Sequence, residues 1–300
     1  MTARVDSRRP QQVSSAHPGV AGRSRPDPYL LRIHRAAQRI VNIPGRSAAT
    51  TGRGMQLFAS VLRYVVTDSI SMRLPVGDVL VEAWTLLKVT ATPGLLMAIP
   101  FGALSTVVTS GLVNQLGASS LLGAAAGIGV VRQGAPITAG LLMGGAAASA
   151  IASDFGARAI REELDAMRVL GVDPVRRLVV PRFLALLLIA PILCMFIVVA
   201  GAAAAFSMAV GATGVAPGSF WMSFGTFAKV VDVWFAIAKT IVFGVIVAIV
   251  SSLRGMEAKG GPRGVADAVN SSVVLNVVCI VFANLAITQL QTMFFPMEIA

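Results

Sequence analysis

Residues 154–182 read DFGARAIREELDAMRVLGVDPVRRLVVPR. Six arginines (158, 161, 168, 176, 177, 182) and five acids (154, 162, 163, 165, 173) fall inside this run, and long apolar stretches flank it. Ionised side chains are expensive in hydrocarbon, so a mixed-charge helix set between membrane spans must face water or a partner protein. The run reads as a docking element for a cytoplasmic partner, with membrane helices arranged to be moved by it.

The apolar stretches justify that premise. The chain has 300 residues, of which 55% are hydrophobic and 13% charged, against about 25% charged in a soluble globular protein. No Asp, Glu, Lys, Arg or His occurs between Lys88 and Arg132, between Arg182 and Lys229, or between Asp267 and Glu298. Uncharged apolar runs beyond ~18 residues indicate transmembrane helices. A lipid-spanning barrel would alternate in segments of ~10 residues. The fold class is therefore an all-α membrane protein.

The net charge of +11 is unevenly spread, since residues 1–53 hold ten arginines and two aspartates. That tail is rich in Arg, Pro, Ser and Gly and reads as disordered and cytoplasmic, or as contacting anionic head groups at ~1 kcal/mol per basic residue. No apolar core follows its first basic residues, which argues against a cleavable signal peptide. Residues 54–88 carry two apolar stripes (Met55, Leu57, Phe58, Val61, Leu62, Val65; then Val79, Leu80, Ala83, Trp84, Leu87) broken by Arg63, Asp68, Asp78, Glu82 and Lys88. They read as one or two interfacial amphipathic helices, with Trp84 at head-group level.

Residues 89–300 then hold five spans. The first is 89–113. Residues 119–153 are too long for one straight crossing, and a re-entrant or outer piece to about Val131, a break at 132–136 and a span at 136–153 are expected. Small residues crowd that second span (Gly140, Gly144, Gly145, Ala146, Ala147, Ala148, Ser149) and suit close helix approach. The third span, 183–211, is interrupted by Pro191; the fourth and fifth are 233–253 and 268–295. The loops 154–182 and 254–267 hold six and three Lys or Arg, and the connections 114–118 and 213–228 hold none. The positive-inside rule puts both charged loops and the N-terminus in the cytoplasm and the C-terminus outside, in the plasma (inner) membrane.

Chemistry within the chain is sparse. There is no phosphate-binding G-x-x-x-x-G-K-[ST], no G-x-S-x-G, no H-E-x-x-H, and both histidines lie in the tail, so neither enzyme activity, a cofactor, a metal site nor nucleic-acid binding is indicated. Cys194 and Cys279 lie in apolar runs and read as packing residues. Arg132 and Lys239 either snorkel to the interface or line a polar cavity with Gln133 and Pro136. Asp232 is near enough in sequence to pair with Lys239. No relay of acids crosses the spans, so an ion-driven transporter is disfavoured and energy must enter from another protein.

The segment 158–170 suits that entry point. Ile160, Leu164, Met167 and Val169 give an apolar face, and Arg158 with Glu162 and Arg161 with Asp165 form i,i+4 pairs. Gly171 can end the helix. Asp173-Pro174 makes a turn or caps a new helix. Arg176, Arg177 and Arg182 read as anchors of the third span at the inner interface. A solvated loop without a partner is the plainer alternative.

REELDAMRVLGVDPVRRLVVPR (161–182) resembles the signature of the MlaE/YrbE permeases, close to EEIDAMxVLGIDPxxxLVVPR. The resemblance extends through Gln133, Pro136, 152–158, Arg254-Gly255, 259–262, Gly264 and 268–270, covering about 54–297. With Ala146 after its small-residue pair, the chain is most similar to the YrbE "A" subunits of actinobacterial Mce systems. The resemblance implies an interfacial helix, five spans, and a cytoplasmic coupling helix docking on a separate ABC ATPase. It also implies a second permease subunit as a heterodimer partner, and Mce-type proteins bringing fatty acids, phospholipids or sterols from the outer side. The coupling positions it implies are Arg161, Glu162, Glu163, Asp165, Met167, Gly171, Asp173 and Pro174, with Arg158 just before them. The alternative is a non-conducting scaffold that anchors Mce-like proteins.

Overall fold

The computed structural model describes residues 43–70, 75–115, 117 and 121–294. The expectations for most of the basic tail and for the chain end lie outside these residues. The chain divides between Ala49 and Thr50. Of the first unit only residues 43–49 are among those described, and the contacts below belong to the second unit.

Every regular element among the described residues is helical. In order these are α1 (Ile43–Ile70), α2 (Val76–Gln115), α3 (Leu122–Ile160), α4 (Glu163–Val169), α5 (Val175–Thr213), α6 (Pro217–Phe227), α7 (Val230–Met256) and α8 (Pro262–Phe294). Helices α2, α3, α5, α7 and α8 are each long and apolar enough to cross a membrane. These are the five expected spans, and their ends differ from expectation in three places.

The interfacial stripe at 75–88 is not a separate helix. It forms the first turns of α2, which runs unbroken to Gln115. Nothing between Pro75 and Pro93 ends a helix, and Asp78 in the first turn complements the positive helix N-terminus. Pro93 and Pro100 lie inside α2, and Pro191 lies inside α5 without interrupting it. Each removes one ladder hydrogen bond, which membrane helices tolerate where neighbours or local adjustments satisfy the freed group.

The second difference is at 119–136. No re-entrant piece exists; α3 is one helical run containing two π-helical turns, Ile128–Gly134 and Met143–Ala147. Pro136 has no N–H to give the Arg132 carbonyl, and its ring crowds that oxygen. Widening the turn to π geometry absorbs the clash without ending the helix.

The third difference is at 158–170, which is not a single helix. α3 ends at Ile160, and Glu162 adopts φ 58°, turning the chain before α4 begins.

Inside lipid, helices gain nothing from leaving water, so close packing must hold them together. α2 lies along α5, and α7 packs against α3, α5 and α8. At the α2–α5 crossing Gly102 abuts the backbone of Gly201, leaving no room for a side chain. On α3 a Cβ at Gly140 would lie 2.6 Å from the Phe243 ring, and one at Gly144 2.8 Å from Ile280. The small residues of the second span thus receive large side chains of α7 and α8. Away from the charged segment, α6 packs on the start of α3 through buried Phe220. Phe206, Phe220, Trp221 and Phe224 cluster there with ring centroids 5.4–6.0 Å apart.

Candidate functional site

The turn between α3 and α4 carries the candidate docking surface. Arg161 and Glu162 donate their N–H groups to the carbonyls of Ala157 and Ala159, and Glu162 accepts from the Ala166 N–H at 3.0 Å. A left-handed non-glycine residue costs about 1–2 kcal/mol, so neighbouring contacts must hold Glu162 there. Leu164 is buried and pins α4, and Met167 is half-buried. At the tip Val169 is 88% and Leu170 79% exposed.

Gly171 ends α4 at φ 77°. Its N–H reaches the Arg168 carbonyl and that of Val172 reaches Met167, the paired bonds of a Schellman cap. Asp173 then caps the helix entered at Pro174, its Oδ1 accepting the Val175 N–H at 2.9 Å. Both boundary expectations for Gly171 and Asp173-Pro174 are met.

The expected ion pairs are not. Arg158 pairs with Asp154 at 3.1 Å and approaches Glu163 at 3.7 Å; Arg161 pairs with Glu163 at 3.0 Å; Asp165 pairs with Arg168 at 2.7 Å. The turn at Glu162 breaks the i,i+4 register that Arg158–Glu162 and Arg161–Asp165 need. Exposed pairs of this kind contribute ~0.2–1 kcal/mol each, so Leu164 and the cap at Gly171 fix α4 more than its charges do.

Beneath the tip lies a denser network. Arg182, on α5, is 8% exposed. Its Nε donates to Glu82 of α2 at 2.7 Å, its Nη2 donates to Asp154 of α3, and its guanidinium lies 4.4 Å over the Phe155 ring. Asp154 also accepts from Arg158, which reaches Glu163. A chain of alternating charge thus joins α2, α3, α4 and α5. Arg176 and Arg177 are likewise paired rather than simple interfacial anchors. Arg176 Nε donates to Asp68 of α1 at 2.9 Å, and Arg177 lies 3.5 Å from Asp78. These acids stand at the same level of the bundle, within reach of side chains that otherwise could only be hydrated.

Helix α1 also holds the base of the tip. The Tyr64 hydroxyl donates to Asp173 Oδ2 at 2.5 Å. That bond, and to a lesser degree burial, raises the Tyr64 pKa above its usual 10.0, because ionisation would set a phenolate against a carboxylate. Nearer its start, Arg53 pairs with Glu257 in the loop before α8 at 2.7 Å.

A second polar cluster lies near the other end of the spans. Lys239 is fully buried and Arg132 is 7% exposed, so neither snorkels. Lys239 Nζ donates to the Arg132 carbonyl at 3.1 Å and to Thr288 Oγ1 at 2.9 Å. That carbonyl is the one Pro136 cannot serve. Gln133 donates to Thr288 at 3.3 Å and accepts from Asn284 at 3.4 Å. Asp232 does not pair with Lys239; it accepts from Gln291 Nε2 at 2.8 Å and stands 3.8 Å from Arg132 Nε. Residues 232 and 239 are two turns apart on α7, so Lys239 meets nearer partners across the helix interface. Arg132, Gln133 and Lys239 are thus brought together, with Pro136 beside them.

In the sequence Tyr64 carries no signal of its role, and Asp68 and Glu82 show only as breaks in apolar stripes. Asn284, Thr288 and Gln291 do leave a signal, because their i, i+4, i+7 spacing in an apolar helix marks one polar face. Among the described residues no group of acidic, His and Cys side chains could hold a metal ion.

Comparison with known proteins agrees with this architecture. The chain is 32% identical over 168 residues to a probable ABC transporter permease protein of Synechocystis sp., covering 56% of this chain and 64% of that one. It is 28% identical over 175 residues to the chloroplastic protein TRIGALACTOSYLDIACYLGLYCEROL 1 of Arabidopsis thaliana, covering 58% and 50%. It is also 28% identical over 163 residues to a probable ABC transporter permease protein of Rickettsia typhi, covering 54% and 63%. The chain thus spans only about half to two-thirds of the length of these curated relatives. The model of the family described as Permease MlaE matches residues 79–290, more than half of the chain and reaching into every span, so the chain belongs to the MlaE permease family.

Proposed function

We propose that this chain is the membrane-embedded subunit of an ABC-type lipid transporter, and that residues 158–174 dock a separate ATPase. The observation that carries this reading is the tip of α4. Val169 and Leu170 stand almost free of the bundle, on a helix that also carries the exposed Asp165–Arg168 pair. Adjacent exposed apolar side chains among charged ones suit a protein partner. The network below the tip gives movement of the partner a route into four helices. The names of the relatives, two of them ABC transporter permeases and one bearing the name of a galactolipid, favour lipid as cargo.

In this reading the charged end is cytoplasmic, a second permease subunit covers part of the bundle, and Mce-type proteins deliver fatty acids, phospholipids or sterols from outside. The test is Leu170→Glu combined with Val169→Glu in the assembled complex. Both side chains are exposed and outside the charge chain, so the melting temperature is expected to hold while ATPase co-purification and lipid uptake are lost. Retention of both would overturn the docking assignment. A complex that assembles in the wild type, yet moves no lipid, would favour the scaffold reading.

A further inference from the structure

Helix α1 has two apolar faces. Leu57 and Val61 are buried against the bundle, with Phe58, Tyr64 and Val65 packed beside them. Met55, Leu62, Val66 and Ile70 recur at helical spacing on the other side and are 46–79% exposed. An outward apolar stripe on a helix beside membrane spans suits the lipid interface. Three polar side chains tie α1 to the charged end. Arg53 pairs with Glu257 just after α7 at 2.7 Å, and the Tyr64 hydroxyl donates to Asp173 at 2.5 Å. Asp68 accepts from both Nε and Nη2 of Arg176. These contacts are unequal. Arg53 and Glu257 are open to water, and such a pair contributes little and yields easily. Asp68 is only 3% exposed, and Arg176 is its one ion-pair partner among the described residues. Removing one member of such a pair strands the other charge. The root of α5 therefore cannot leave α1 without leaving a buried carboxylate unpaired, and the two must shift as one piece.

We propose that Asp68 and Tyr64 are positioning residues that make α1 part of the moving unit, so that displacement of residues 158–174 by the ATPase carries α1 with it. The proposal rests on the docking reading above and adds a helix outside the docking segment. The fork from Arg176 to Asp68 fixes direction as well as distance, because a bidentate guanidinium–carboxylate pair holds both planes. Tyr64 grips the same carboxylate that caps the start of α5, since Asp173 also accepts from the Val175 N–H. The rest of α1 is free to follow. At Gly54 only the Leu253 side chain comes near, 3.8 Å from where a Cβ would lie, and at Gly52 nothing lies within 4 Å. There is no backbone lock at these glycines of the kind that Gly102 makes with Gly201. The Arg53–Glu257 pair is the contact that gives way when α1 moves relative to α7.

The experiment places an environment-sensitive fluorophore on α1 of the full chain, in the complex with its ATPase, in nanodiscs of phosphatidylethanolamine and phosphatidylglycerol. Leu62→Cys on the outward stripe carries the label in a Cys279→Ala background, Cys194 being buried. ADP with vanadate, a mimic of the phosphoryl-transfer state, is expected to shift the emission of this labelled chain. Adding Asp68→Asn and Tyr64→Phe together is expected to abolish the shift, while ATPase co-purification and ATP turnover stay unchanged. Asp68→Glu keeps the carboxylate and is expected to retain the shift. A role in stability alone would lower the melting temperature and leave the shift in place, and that outcome overturns the proposal. So does an emission that vanadate leaves unmoved in the labelled chain with the ATPase bound. If the double variant fails to assemble, Tyr64→Phe is compared with Arg53→Gln. The first is expected to weaken the shift and the second to leave it whole, and equal shifts overturn the proposal. Absence of the ATPase from the wild-type complex would overturn the docking reading and this proposal with it.

Discussion

Replacing Arg182 by leucine removes the junction of the charge chain beneath the α4 tip. Two charge-assisted hydrogen bonds go, each worth about 1.5–3 kcal/mol net. The contact over Phe155 goes too, at about 0.5–1 kcal/mol. The full sum overstates the loss, because Glu82 and Asp154 are 28% and 39% exposed and water can rehydrate them. A net loss of about 2–3 kcal/mol remains, a fall in melting temperature of about 4–10 °C for a domain of this size. Arg182→Lys keeps the charge but loses the fork that spans both acids, so about half of that loss is expected. Adding Asp154→Asn to Arg182→Leu removes an uncompensated carboxylate and should restore part of the stability. The assay is thermal unfolding of the purified protein in detergent. Arg182→Leu within about 0.5 kcal/mol of wild type, or Arg182→Lys falling as far as Arg182→Leu, would refute the reasoning.

Tyr64→Phe should cost about 1 kcal/mol through the lost bond to Asp173. Because the folded pKa of Tyr64 is raised, this contribution is complete below about pH 10 and fades only as pH climbs through the raised value. Melting curves of wild type and Tyr64→Phe should therefore keep a constant separation from pH 6 to 9, and a separation that changes within that window would contradict the assignment. Gly102→Val inserts a side chain where α2 meets the Gly201 backbone. Overpacking should destabilise by about 1–3 kcal/mol, and an unchanged melting temperature would show that the two helices do not approach closely there.

The number of spans and the position of the charged turn between α3 and α5 were legible because both rest on long-range contrasts in charge, which no local detail can erase. Gly171 and Asp173-Pro174 were legible for a different reason: each residue answers a specific local backbone demand. The course of 119–136 was not, because proline and glycine signal a break equally well whether the helix stops or widens to π geometry. The environment of Lys239 and Arg132 was also hidden. Snorkelling depends on which way a side chain leaves its helix, and that is set by Phe243, Ile280 and the other side chains packed between α3, α7 and α8. The pairing of Arg182 with Glu82 and Asp154 spans 100 and 28 residues of sequence. Only the packing that sets the start of α2, the end of α3 and the start of α5 side by side brings the three together.

The bond from Lys239 to the Arg132 carbonyl carries a further consequence. A bare carbonyl inside lipid costs several kcal/mol, and Pro136 guarantees that its ordinary helical donor is missing. The ammonium fills that vacancy, so an imino acid on one helix dictates where a positive charge comes to rest on another. Pro136→Ala would hand the oxygen back to its own helix and free the ammonium to turn elsewhere, without touching any charged residue. In this sense the electrostatics of the interior are written partly in backbone, and a residue with no charge and no polar side chain addresses the most deeply buried cation of the bundle.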